Sequence, residues 1–129
     1  MGIELGAPPS PRGGPYVTAE TGTDVTDGTG ILAWQVRDAY GAALAGIYLV
    51  RVWYVAAAAS PGVPALATGF TPFVAGNLYE TVDANQELRI LSATNGALAV
   101  IVDAADGAVY GAAELNGSVA VATVTISTV

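Results

Sequence analysis

The chain has 129 residues and a formal net charge of −7, with 4 Lys+Arg against 11 Asp+Glu. It contains no histidine, cysteine or lysine, and its cations are Arg12, Arg37, Arg51 and Arg89. A disulfide scaffold, a thiolate zinc site, His- or Cys-based triads and lysine catalysis are therefore excluded. The charge also argues against binding nucleic acid or an anionic membrane.

One domain of this length buries roughly two-thirds of the surface its unfolded chain exposes. Hydrophobic residues make up 53% and charged residues only 12%. No apolar run approaches the ~20 residues of a membrane helix. The opening Met1-Gly-Ile-Glu-Leu-Gly lacks the basic and apolar regions of a signal peptide. A chain this apolar is expected to cover part of its surface against another molecule.

Residues 1–29 read as an extended Gly/Pro-rich arm. Pro8, Pro9, Pro11 and Pro15 crowd its first half, and a Thr/Gly/Asp stretch follows from Thr18. Such composition forms no helix, and an ordered arm needs its own domain or a neighbouring chain to lie against.

From residue 30 to 129 the texture is that of short strands separated by turns. The first strand is expected over Ile31–Asp38, with Leu32, Trp34 and Val36 on one face, ending in the turn Asp38-Ala-Tyr-Gly41. The second is expected over Gly46–Val55. Both of its faces are apolar, Tyr48, Val50, Val52 and Tyr54 against Ile47, Leu49 and Trp53, as in a central strand covered on both sides.

Ala56–Asn77 reads as a long loop, because Pro61, Pro64 and Pro72 interrupt it. Strands follow near Tyr79–Val82, Glu87–Ser92, Ala97–Asp103, Ala108–Leu115 and Ser118–Ser127, and no segment keeps a helical period. Asn-Gly between alternating runs, as at Asn116-Gly117, is a hairpin signal. About seven strands with turns every eight to twelve residues predict an all-β, Ig-like antiparallel sandwich.

Carboxylate pairs are what remains for catalysis: Asp24 with Asp27, Asp103 with Asp106, and Asp83 with Glu80 or Glu87. All lie at turns or strand ends, where acids serve backbone hydrogen bonding, so no catalytic residue is assigned. Thr21–Gly28 weakly echoes a calcium loop but lacks its alternating acids and closing glutamate, so no metal or cofactor is assigned. Arg51, inside an apolar strand, calls for a carboxylate or carbonyl partner if buried, a structural pair more than a ligand clamp.

Trp34, Trp53, Tyr48 and Tyr54 read as core or interface packing. Tyr16, Phe70, Phe73 and Tyr79, in Pro/Gly-rich surroundings, read as anchors into pockets of the same molecule or a neighbour. Pro9, Pro11, Tyr16, Trp53, Phe70, Phe73 and Tyr79 are the candidate interface residues.

Gly30-Ile-Leu-Ala-Trp-Gln-Val-Arg-Asp-Ala-Tyr-Gly41, with Ala45-Gly-Ile-Tyr-Leu-Val-Arg-Val-Trp53, resembles small virion proteins of tailed phages built on an Ig-like fold. Leu88–Val100 and Tyr110–Ser118 continue the pattern, which is also similar to the invasin-type bacterial Ig-like domain. The resemblance covers residues 30–129 and lies in turns and alternation. Residues 1–29 fall outside it, and bacterial adhesins string several such domains where one is present here.

The resemblance implies a non-enzymatic head-decoration or cement protein on the capsid surface, with head-fibre and tail-associated proteins as its relatives. It implies many copies, the major capsid protein or other virion proteins as partners, and self-association, with a trimer as the expected form. The alternatives are a receptor- or glycan-binding tail-fibre or adhesin module, which calls for an exposed aromatic pair with Trp53 or Tyr54 among its candidates, and a carboxylate hydrolase.

Overall fold

The computed structural model describes residues 14–25, 28–55, 69–83, 86–103 and 107–126, with side chains for all but 69–74, 83 and 103. Among these residues the chain is all-β, with ten strands and no helix. In chain order the strands are β1 (Tyr16–Ala19), β2 (Thr23–Asp24), β3 (Thr29–Arg37), β4 (Leu49–Val55) and β5 (Gly69–Ala75). They continue with β6 (Asn77–Asp83), β7 (Glu87–Leu91), β8 (Ala97–Asp103), β9 (Gly107–Leu115) and β10 (Ser118–Ile126).

Two antiparallel sheets face each other. The first has the order β1-β3-β8-β5, with β2 also pairing to β3; the second runs β10-β9-β4-β7-β6. β3 shows why alternation produces this layering. Leu32, Trp34 and Val36 are buried while the residues between them are half-buried, the period-2 pattern of a strand with one face in the core. β8 supplies Leu98, Val100 and Val102 to the same interior, and β4 supplies Val50 and Val52 from the other side.

Trp34 is the largest wholly buried side chain, and it bridges the two sheets. Its indole N–H donates to the carbonyl of Ala120 on β10 at 3.2 Å. Space for the ring comes from β9, where a Cβ added at Gly111 would lie 2.7 Å from Leu32 Cδ1 and 3.3 Å from Trp34 Cη2. The facing residues Ala113, Ala120 and Ala122 are equally small. Full burial of one large apolar side chain contributes about 1.5–3 kcal/mol, so this match of large to small is a principal source of stability.

Several elements differ from the sequence reading. Ten strands replace about seven. Residues 16–24, expected as part of the arm, run as β1 and β2 along the edge of β3, and Val17 joins the core. Arg37 fastens this edge by donating to Thr18 Oγ1 at 2.8 Å and to Glu20 at 3.3 Å.

The expected loop 56–77 contains β5, whose Pro72 is accommodated because β5 is an outer strand that needs no second ladder. β4 starts at Leu49 and not at Gly46, since Gly46 has φ 128° and the segment before Leu49 is tied down separately. There the buried Ser92 hydroxyl accepts from Tyr48 N–H at 2.9 Å and donates to the Gly46 carbonyl at 3.1 Å.

Gly111→Ala is expected to lower the unfolding free energy by about 1–3 kcal/mol, the usual cost of overpacking a filled core. Urea titration followed by tryptophan fluorescence measures it. An unchanged midpoint would mean that Leu32 and Trp34 have room to retreat.

Candidate functional site

Cross-strand register makes the outward face of the second sheet a row of charges. Glu114 on β9, Arg51 on β4, Arg89 on β7 and Glu80 on β6 stand opposite one another in turn. Two arginines directly opposite repel, so the acids around them are required for the sheet to form. Arg51 donates from Nε to Glu87 at 2.6 Å and from Nη2 to the same carboxylate at 3.2 Å, a forked pair. Its Nη1 reaches Glu114 at 3.5 Å. Hydrogen bonding to Glu87, opposed by partial burial and helped by the charges of Glu87 and Glu114, raises the Arg51 pKa above its ordinary value. Arg89 meets Glu80 at 3.5 Å, and both are about half exposed.

Beneath the Arg51 guanidinium, 4.5 Å from its ring centroid, lies Trp53. Trp53, Val55 and Ala112 form a second apolar cluster, with Tyr110 and Val121 packed on it. Register places this cluster on the face opposite Val50 and Val52. The second sheet therefore buries apolar residues on both faces where β4 and β9 meet, as the two apolar faces of β4 predict. Next to it a shallow depression of about 350 Å³ is lined by Leu49, Arg51, Arg89, Glu114, Leu115, Asn116 and Gly117.

Of the candidate interface residues, Tyr16, Trp53 and Tyr79 have described side chains. Pro9 and Pro11 lie outside the described residues. Phe70 and Phe73 belong to β5, but their side chains lie outside the description. Tyr16 and Trp53 are only 5% and 3% exposed, so as anchors they serve their own chain and not a neighbour. The Tyr16 hydroxyl has no hydrogen-bond partner among the described atoms. Of the two residues named for an exposed aromatic pair, Trp53 is buried and Tyr54 is partly buried against the core. Among the candidates with described side chains, only Tyr79 stands in water, at 62% exposure.

Glu80 and Glu87 are each engaged by an arginine. Asp27 and Asp106 lie outside the described residues, as do the side chains of Asp83 and Asp103. No group of three or more potential metal-ligating side chains occurs among the described residues.

Among the described residues, exposed large apolar side chains occur at Val25, at Tyr40, Ile47 and Leu49 between β3 and the start of β4, at Val119 on β10, and at Leu78 and Val82, which flank Tyr79 on β6. The signal available for β6 was its irregular alternation, Leu78-Tyr-Glu-Thr-Val82, which fits neither a clean inward face nor a polar edge.

No protein-family model and no curated protein matches this chain.

Arg51→Ala is expected to destabilise the fold by about 1–2 kcal/mol, between the cost of losing an exposed pair and a buried one. Arg51→Lys should recover less than half of this, because an ammonium cannot make the forked bond or lie flat on Trp53. Thermal unfolding of the two variants beside the parent checks both values. Full rescue by lysine would reduce the ladder to simple charge balance.

Proposed function

We propose that the chain is a non-enzymatic assembly module with an Ig-like sandwich, acting on the surface of a tailed-phage virion as a capsid decoration protein. The observation that carries the assembly reading is the set of large apolar side chains left in water at one edge strand, Leu78, Tyr79 and Val82. Strand order supports the Ig-like assignment. β1-β3-β8-β5 follows the A-B-E-D order of an immunoglobulin sheet, and β10-β9-β4 follows G-F-C. In that correspondence the β6–β7 hairpin is inserted between strands D and E and is added beside strand C. The virion setting and the major capsid protein as partner rest on the resemblance carried by residues 30–129. The engaged carboxylates Glu80, Glu87 and Glu114, bound to arginines across the sheet, favour a structural role over hydrolysis.

Density-gradient sedimentation of the producing lysate tests this reading. The chain is expected to travel with particles and to stay on them in about 1 M salt, where the Debye length falls to about 3 Å and apolar contacts alone must hold. Recovery only as a free 12.9 kDa species would overturn it.

A further inference from the structure

β6 is one of the two outer strands of the second sheet, and every side chain described on it, Asn77 to Val82, is exposed. Leu78 and Val82 are 48% and 46% exposed, beside the still more open Tyr79. The pairing of β6 with β7 slips twice, between Leu78 and Glu80 and between Thr81 and Asp83. Tyr79 and Val82 are therefore the two residues left without a counterpart on β7.

Bulges and acids on an edge strand commonly serve to discourage strand addition. Protection of that kind is best served by polar side chains at the bulged positions. Here those positions hold a tyrosine and a valine, which gain nothing from facing water and have a use as anchors.

The charge around the strand chooses the occupant. Glu80 and Glu87 stand on the outer face beside β6, Asp83 occupies the register position opposite Glu87, and Arg89 is the neighbouring cation not shared with Glu114. A second copy adding antiparallel about the strand's midpoint would set Glu80 against Glu80, on a chain whose net charge is already −7. Although Arg51 and Arg89 pair with these acids, Glu80, Glu87 and Glu114 outnumber them on this face, so a segment carrying arginine or lysine meets a net acidic surface.

We propose that the β6 edge docks an extended segment of a different protein, one that alternates cationic with apolar side chains. The cations face Glu80 and its neighbouring acids, the apolar residues cover Leu78, Tyr79 and Val82, and backbone groups extend the sheet. This rests on the assembly reading and names the element through which assembly runs.

A short synthetic peptide of alternating arginine and valine, titrated into the ¹⁵N-labelled full chain and followed by NMR, tests it. Saturable shifts centred on residues 77–83 are expected. Alternating Glu–Val and Arg–Ser peptides should bind about tenfold more weakly, as should the Arg–Val peptide to a Tyr79→Ser/Val82→Ser variant, whose exposed substitutions leave the fold intact.

Equal binding of the Arg–Ser peptide would reduce the effect to charge and overturn the proposal, as would shifts centred elsewhere or no binding at all. Self-association that the Tyr79→Ser/Val82→Ser variant abolishes would assign the edge to a second copy and overturn it too. A chain that sediments with particles yet ignores the peptide loses only the edge assignment. One that binds the peptide but is never found on particles loses the assembly reading.

Discussion

The fit of Trp34 against Gly111 is the constraint on which the sandwich depends. β3 lies between β1/β2 and β8 in its sheet, so whatever sets its distance from the opposite sheet sets that distance for most of the first layer. A tryptophan there requires a strand with almost no side chains opposite. β9 and β10 meet the requirement with Gly111, Ala113, Ala120 and Ala122. The indole N–H would be a costly orphan in this interior, and the Ala120 carbonyl satisfies it. Contact and hydrogen bond together fix where the sheets meet and how far apart they stand.

The same economy is repeated on the other side of β9. Trp53 projects outward from β4 and stands in register with Ala112, as Trp34 stands over Gly111 on the inner face. β9 is thus small on both faces because it carries a tryptophan on each. Among the described residues the outer tryptophan is covered by Tyr110, Val121 and the Arg51 guanidinium, which Glu87 and Glu114 hold in place. The charged row across the second sheet is in this sense an extension of core packing. Arg51 is held in place over an apolar cluster, and the acids on either side of it offset its opposition to Arg89 on the adjacent strand.

Local chemistry made the strongest features legible. The Asp38 turn closes as its residues suggest, with the Asp38 carboxylate accepting from the Tyr40 and Ala42 N–H groups. Asn116-Gly117 joins β9 to β10 with φ 55° and 83°, the left-handed pair that a tight hairpin requires. The same dipeptide at Asn95-Gly96 does something else. It carries the chain from β7 in one sheet to β8 in the other, with the Gly96 carbonyl accepting from Val36 N–H. The turn was readable, but the sheet its far side joined was not, because that is decided by packing.

β5 was hidden because a proline weighs against a strand only when both edges of that strand are paired, and sequence does not say which strands are outermost. The candidate site fared worse. Arg51 was correctly matched to carboxylates, whereas the β6 edge depended on two register slips that no periodicity announces.

Composition alone was a weak guide to assembly. A count of apolar residues treats each as belonging either to one core or to the surface. A sheet that buries both faces takes up far more of them, and Trp53, Val55 and Ala112 belong to that second store. Once they are subtracted, the apolar excess is largely internal. Of the large apolar side chains left in water, Val25, Tyr40, Ile47, Leu49 and Val119 are spread over several elements, whereas Leu78, Tyr79 and Val82 share one outer strand. Scattered exposed apolar residues need no explanation, while a group on one edge strand does. It is the position of these side chains, more than their number, that sets them apart, as it would in a chain of average composition.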